Sequence, residues 1–119
     1  MTNKTGVSGQ AIKQALEGRD GKALASFYTD DAVITIIDRN NTPSRPLALT
    51  GRAAISNYWA DVCGRDMTHA VDIAASDDTR IAFTESCAYP DGVKVFCAAV
   101  LDLDGGRIKR QTTIQAWDE

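Results

Sequence analysis

The chain has 119 residues, a formal net charge of -3, 44% hydrophobic and 24% charged residues. This fits one globular domain over 1–119 and argues against a disordered chain. The densest basic group is only Arg107, Lys109 and Arg110, so no nucleic-acid partner is expected. The three cysteines (Cys63, Cys87 and Cys97) follow no zinc-ligand spacing, and they are expected as buried thiols in a reducing, cytoplasmic setting, with no metal and no cofactor. No stretch of eighteen apolar residues and no signal-peptide core occurs, so no membrane partner is expected either.

In chain order, residues 1–7 read as a loose start. Ile12, Ala15 and Leu16 fall on one face of a helix over 8–17, which Gly18 stops. Asp20 caps a second helix whose apolar face is Leu24, Phe27 and Tyr28, and Thr29-Asp30-Asp31 turns the chain. "AVITII" is a strand of β-branched residues. The polar "DRNNTPSRP", with two prolines, is a loop. Thr50 is read as the cap of a third helix, with Ile55, Tyr58, Trp59 and Val62 on one face and Gly64 at its end.

After Gly64 the period becomes two, giving strands near 67–75, 80–89, 94–103 and 107–117. Helices first and a run of antiparallel strands after them make an α+β domain. If Asp91-Gly92 and Gly105-Gly106 are both two-residue turns, Glu85 sits opposite Ala98 and Ala98 opposite Thr113. Phe83, Glu85, Cys87, Phe96, Ala98, Val100, Gln111, Thr113 and Gln115 then share one face. A bulge or a three-residue turn would flip a strand against its neighbours.

Three phrases carry a resemblance. "ALEGRDGKALASFYTDDAVI" resembles the opening of the NTF2-like superfamily, "LTGRAAISNYW" is similar to its third helix, and "LDLDGGRIKRQTTIQAW" to its last hairpin. The resemblance covers nearly the whole chain. It implies a cone-shaped, curved, mostly antiparallel sheet wrapped around three helices and enclosing an apolar pocket. It also implies dimers through the outer sheet face, with acids and bases on the inner wall. The superfamily spans ketosteroid isomerases, SnoaL-like polyketide cyclases, epoxide hydrolases, dehydratases and non-catalytic binding domains. The isomerases' tyrosine and two aspartates fall here on Ile12, Ile36 and Ala99 (or Ala98), and the SnoaL-like aspartate falls on Thr113. Steroid isomerisation by that mechanism is therefore not expected.

Proton transfer must rest on other groups. Glu85 lies between Phe83 and Cys87 in alternation, where a pocket wall would desolvate it. Otherwise it sits on a solvated face or pairs with Lys94 or Lys109. His69, the only histidine, shares parity with Val71 and Ile73. Asp38 ends the first strand, either at a pocket mouth or capping the following loop. Tyr28, Tyr58 and Trp59 are core or ligand-facing aromatics, and Gln111 and Thr113 are neutral wall groups that orient a carbonyl or hydroxyl. The expected function is binding of a small apolar, carbonyl- or hydroxyl-bearing molecule. General acid/base isomerisation, cyclisation, elimination or hydrolysis follows from it, and the alternative is a non-catalytic dimeric binding domain.

Overall fold

A computed structural model describes residues 6–118. Its elements are α1 (Gly9–Glu17), α2 (Gly21–Ser26), β1 (Tyr28–Ile37), β2 (Leu47–Thr50), α3 (Arg52–Gly64), β3 (Thr68–Ser76), β4 (Arg80–Ala88), β5 (Lys94–Asp104) and β6 (Arg107–Trp117). Most of the loose start expected at 1–7 lies outside the described residues. Ser8 caps α1 by accepting from the Ala11 amide, and Asp20 caps α2 by accepting from the Ala23 amide. Two boundaries differ from expectation. Tyr28 opens β1 instead of closing α2, and Thr29 to Asp31 belong to that strand, with a break in register before Val33. Leu47 to Thr50 form a sixth strand that the prolines concealed, and the third helix starts after Gly51, whose φ of 89° favours glycine.

The strands form one mixed sheet in the order β2-β1-β6-β5-β4-β3, with β1 and β6 parallel and every other pair antiparallel. The α+β class with three helices holds, but the expected cone does not. The sheet is open, with β2 and β3 as its two edges, and it does not curl round on itself. Local chemistry accounts for the two edges. β2 has only four residues. On β3, Lys13 Nζ donates to the Val71 carbonyl at 2.7 Å, and the Val71 amide donates to Glu17 Oε2 at 2.9 Å. Side chains of α1 thus occupy backbone groups that another strand would need.

The helices cover one sheet face. Ile12, Leu16, Leu24 and Ile55 meet Ile34, Ile81, Leu101 and Ile108, all at most 2% exposed. Each such side chain contributes about 1.5–3 kcal/mol. Exposed ion pairs such as Arg80–Asp102 contribute at most about 1 kcal/mol each, so apolar burial holds the helices on the sheet.

The register expected for β5 is off by one residue at both of its edges. Tyr89 N donates to Val93 O across a three-residue turn, so Glu85 pairs with Cys97, not Ala98. A bulge at Lys109 then pairs Thr113 with Ala99. The two shifts add to two residues between β4 and β6, one full side-chain period, so the facing is kept. Phe83, Glu85 and Cys87 still share the inner face with Gln111 and Thr113, while Cys97, Ala99 and Leu101 replace Phe96, Ala98 and Val100 there. Among the described residues, no helix is long and apolar enough to cross a membrane.

Candidate functional site

A cavity of about 280 Å³ opens between α3 and the inner face of the sheet. Its apolar lining includes Ile36, Trp59, Met67, Phe83 and Val95. Strand alternation adds a polar group from each neighbouring strand: His69 from β3, Glu85 from β4, and Gln111 and Thr113 from β6.

His69 and Glu85 meet there. His69 Nδ1 lies 2.7 Å from Glu85 Oε2, and the two side chains are 2% and 10% exposed. The same nitrogen is 3.2 Å from Cys87 Sγ, on the residue directly across the β3–β4 ladder. The hydrogen bonds from Nδ1 to Cys87 and to Glu85 outweigh burial and raise the His69 pKa to about 9. At neutral pH the pair is an imidazolium against a carboxylate. Its bond to Cys97 and its burial push the Cys87 thiol upward, so Cys87 stays neutral. His69 Nε2 is buried with no hydrogen-bond partner.

The remaining candidates divide. Tyr58 and Trp59 line the cavity, with rings edge-on at 4.9 Å and 70°. Tyr28 stands behind the wall, where its hydroxyl bonds Gln111 and accepts from the Trp59 indole. Asp38 lies at the cavity rim, but its Oδ1 accepts from the amides of Asn40 and Asn41 and from Asn41 Nδ2 at 2.8–3.0 Å. It is committed to the loop and is not brought to the His69–Glu85 pair. Of the residues holding the isomerase positions, Ile36 lines the cavity, while Ile12 and Ala99 are buried core.

Several lining residues were not singled out from the sequence. Gln115 and Trp117 follow Thr113 by alternation, so parity alone identifies them. Trp117 stacks on Tyr89 at 6.1 Å, and the Arg39 guanidinium lies 5.1 Å from its ring centre. Cys87 was visible as Glu85's neighbour, whereas its closeness to His69 depends on a β3–β4 register that no sequence signal fixed. Nδ1, Sγ and Oε of His69, Cys87 and Glu85 lie within 4.8 Å of one another, a donor set of the kind that holds a soft cation. In the structure those atoms are bonded to each other through Nδ1.

Several solved structures share this fold. An NTF2-like protein of unknown function from Burkholderia xenovorans aligns with a TM-score of 0.74 at 18% identity, over 92% of this chain and 80% of that one. A Δ5-3-ketosteroid isomerase from a Mycobacterium species aligns with a TM-score of 0.65 at 19% identity, over 87% of this chain and 86% of that one. A protein from Sphaerobacter thermophilus aligns with a TM-score of 0.67 at 22% identity, over 92% of this chain and 93% of that one. Residues 10–111 match the model of the SnoaL-like domain, and the chain belongs to that family. No curated protein matches it.

Proposed function

We propose that the protein binds a small apolar molecule carrying a carbonyl or hydroxyl oxygen and acts on it by general acid/base chemistry. The observation that carries this reading is the buried His69–Glu85 pair in the cavity wall, with Nε2 unpartnered. Glu85 holds the imidazolium through Nδ1, which leaves the Nε2 proton for a ligand oxygen. As Nε2 gives its proton to the oxygen, the α-proton passes to the other oxygen of the Glu85 carboxylate, which returns it to a different carbon of the enol while His69 takes back its own proton. Isomerisation, cyclisation and elimination all begin with such a step.

The second reading is binding without chemistry. It is favoured by the neutral residues Ile12, Ile36, Ala99 and Thr113 at positions where enzymes of the superfamily are expected to carry a tyrosine or an acid. Hydrogen–deuterium exchange separates the two. With methyl naphthyl ketone in D2O, the wild type is expected to accelerate exchange of the methyl protons, and His69→Gln to lose about 100-fold or more of that rate. Ketone binding with no acceleration would favour the non-catalytic reading.

The outer sheet face carries Phe96, Val100 and Ile114 at 51%, 45% and 54% exposure. Phe96 and Val100 lie on β5 to either side of Ala98, the direct partner of Ile114 on β6, so the three form one apolar patch. We read this patch as the homodimer surface. Sedimentation velocity is expected to give a dimer for the wild type and a monomer for Ile114→Lys; a monomeric wild type would refute it. The three free, buried thiols fit a reducing, cytoplasmic setting.

A further inference from the structure

Two tryptophans set the direction of hydrogen bonding along the cavity wall. An indole N–H donates and cannot accept. Trp59 Nε1 donates to Tyr28 Oη at 3.2 Å, and Tyr28 in turn donates its own proton to Gln111 Oε1 at 2.5 Å. Turning the amide over would leave that phenolic proton without an acceptor on a side chain 3% exposed, at about 1–3 kcal/mol. With Oε1 so placed, Gln111 Nε2 donates to Thr113 Oγ1 at 2.9 Å. Thr113 is therefore an acceptor within the wall, and its own proton remains for the cavity it lines.

Gln115 repeats the pattern. Its Oε1 accepts from Trp117 Nε1 at 3.1 Å. Tyr58 also lines the cavity. Burial raises the pKa of both tyrosines, so these hydroxyls stay protonated at any physiological pH.

We propose that the wall offers the ligand a hydrogen-bond donor at Thr113, so that the cavity selects an accepting oxygen, such as a carbonyl or the enolate formed from it, over a protonated amine or a hydrocarbon of the same shape. This rests on the small-molecule reading above and narrows it to a ligand whose oxygen accepts a hydrogen bond from the wall. Trp59, Tyr28 and Gln111 are positioning residues that act through Thr113.

The test compares methyl naphthyl ketone with isopropenylnaphthalene, in which a CH2 replaces the carbonyl oxygen, by chemical-shift titration of the full chain. The wild type is expected to prefer the ketone by about 3- to 10-fold, the net effect of a hydrogen bond. Thr113→Val should remove most of that preference while leaving affinity for the alkene within about 2-fold. Tyr28→Phe, which frees the Gln111 amide to turn, should reduce the preference with the Thr113 hydroxyl intact. Equal affinities in the wild type, or a preference undiminished in Thr113→Val, would overturn the donor wall alone. If neither probe binds, the small-molecule reading falls with it.

Discussion

Glu85→Leu is expected to destabilise the protein by about 3–5 kcal/mol near pH 6, because it leaves a buried imidazolium without its counter-charge. The effect depends on pH, and its sign follows from the raised His69 pKa. The folded state holds the proton more tightly than the unfolded chain, whose histidine titrates near 6.5. The pair's contribution is complete below pH about 6.5 and is lost as pH rises through about 9. At roughly 1.4 kcal/mol per pH unit, the wild type should lose about 3 kcal/mol of this contribution across that interval. The gap between wild type and Glu85→Leu should therefore narrow by pH 9.5. Cys87 and Tyr58, which border the pair, are pushed upward and do not titrate in this window. Urea denaturation at pH 6 and 9.5 measures both quantities, and a gap independent of pH would contradict the assignment.

The second large effect is at Trp59, 6% exposed and in contact with both the core and the cavity. Trp59→Ala should cost about 3–5 kcal/mol through the void it leaves. Trp59→Phe should cost less, because most of the ring volume remains. It removes the indole donor that sets the orientation of Tyr28 and Gln111, so the ketone preference should fall even where stability is nearly retained. Urea midpoints and the probe titration read the two consequences separately. A Phe variant that keeps the full ketone preference would show that the indole does not set the direction of bonding.

A buried ion pair seldom adds net stability over an apolar pair of the same shape. On the proposed function, the His69–Glu85 pair serves as a placed proton and not as a structural fastening. The Nδ1 contact to Cys87 adds to the hold of Glu85 on that proton.

Much of this site was legible in the sequence because alternation along a strand survives errors in register. Gln111, Thr113 and Glu85 could be placed on one face even though the Pro90 turn and the Lys109 bulge each displaced β5 by a residue. What was not legible depends on distances between segments far apart in the chain. The β3–β4 register that brings His69 to Glu85 has no marker of its own, since Asp77-Asp78 fixes a turn but not its length, and the ladder slips again near Ala75. Asp38 had two readings, and the loop geometry uses it as a cap. Tyr28 was taken into α2 by helical spacing, although the run after Phe27 belongs to β1. The curvature of the sheet was an inference from family resemblance, and the edges formed by β2 and by the α1-capped β3 overturned it.

The most direct test of the central claim is the NMR titration of the His69 imidazole between pH 5 and 10.5 in the wild type and in Glu85→Gln. The structure predicts an inflection near 9 in the wild type that moves down toward the ordinary histidine value of about 6.5 in the variant. A wild-type inflection near 6.5 that Glu85→Gln leaves unmoved would contradict it.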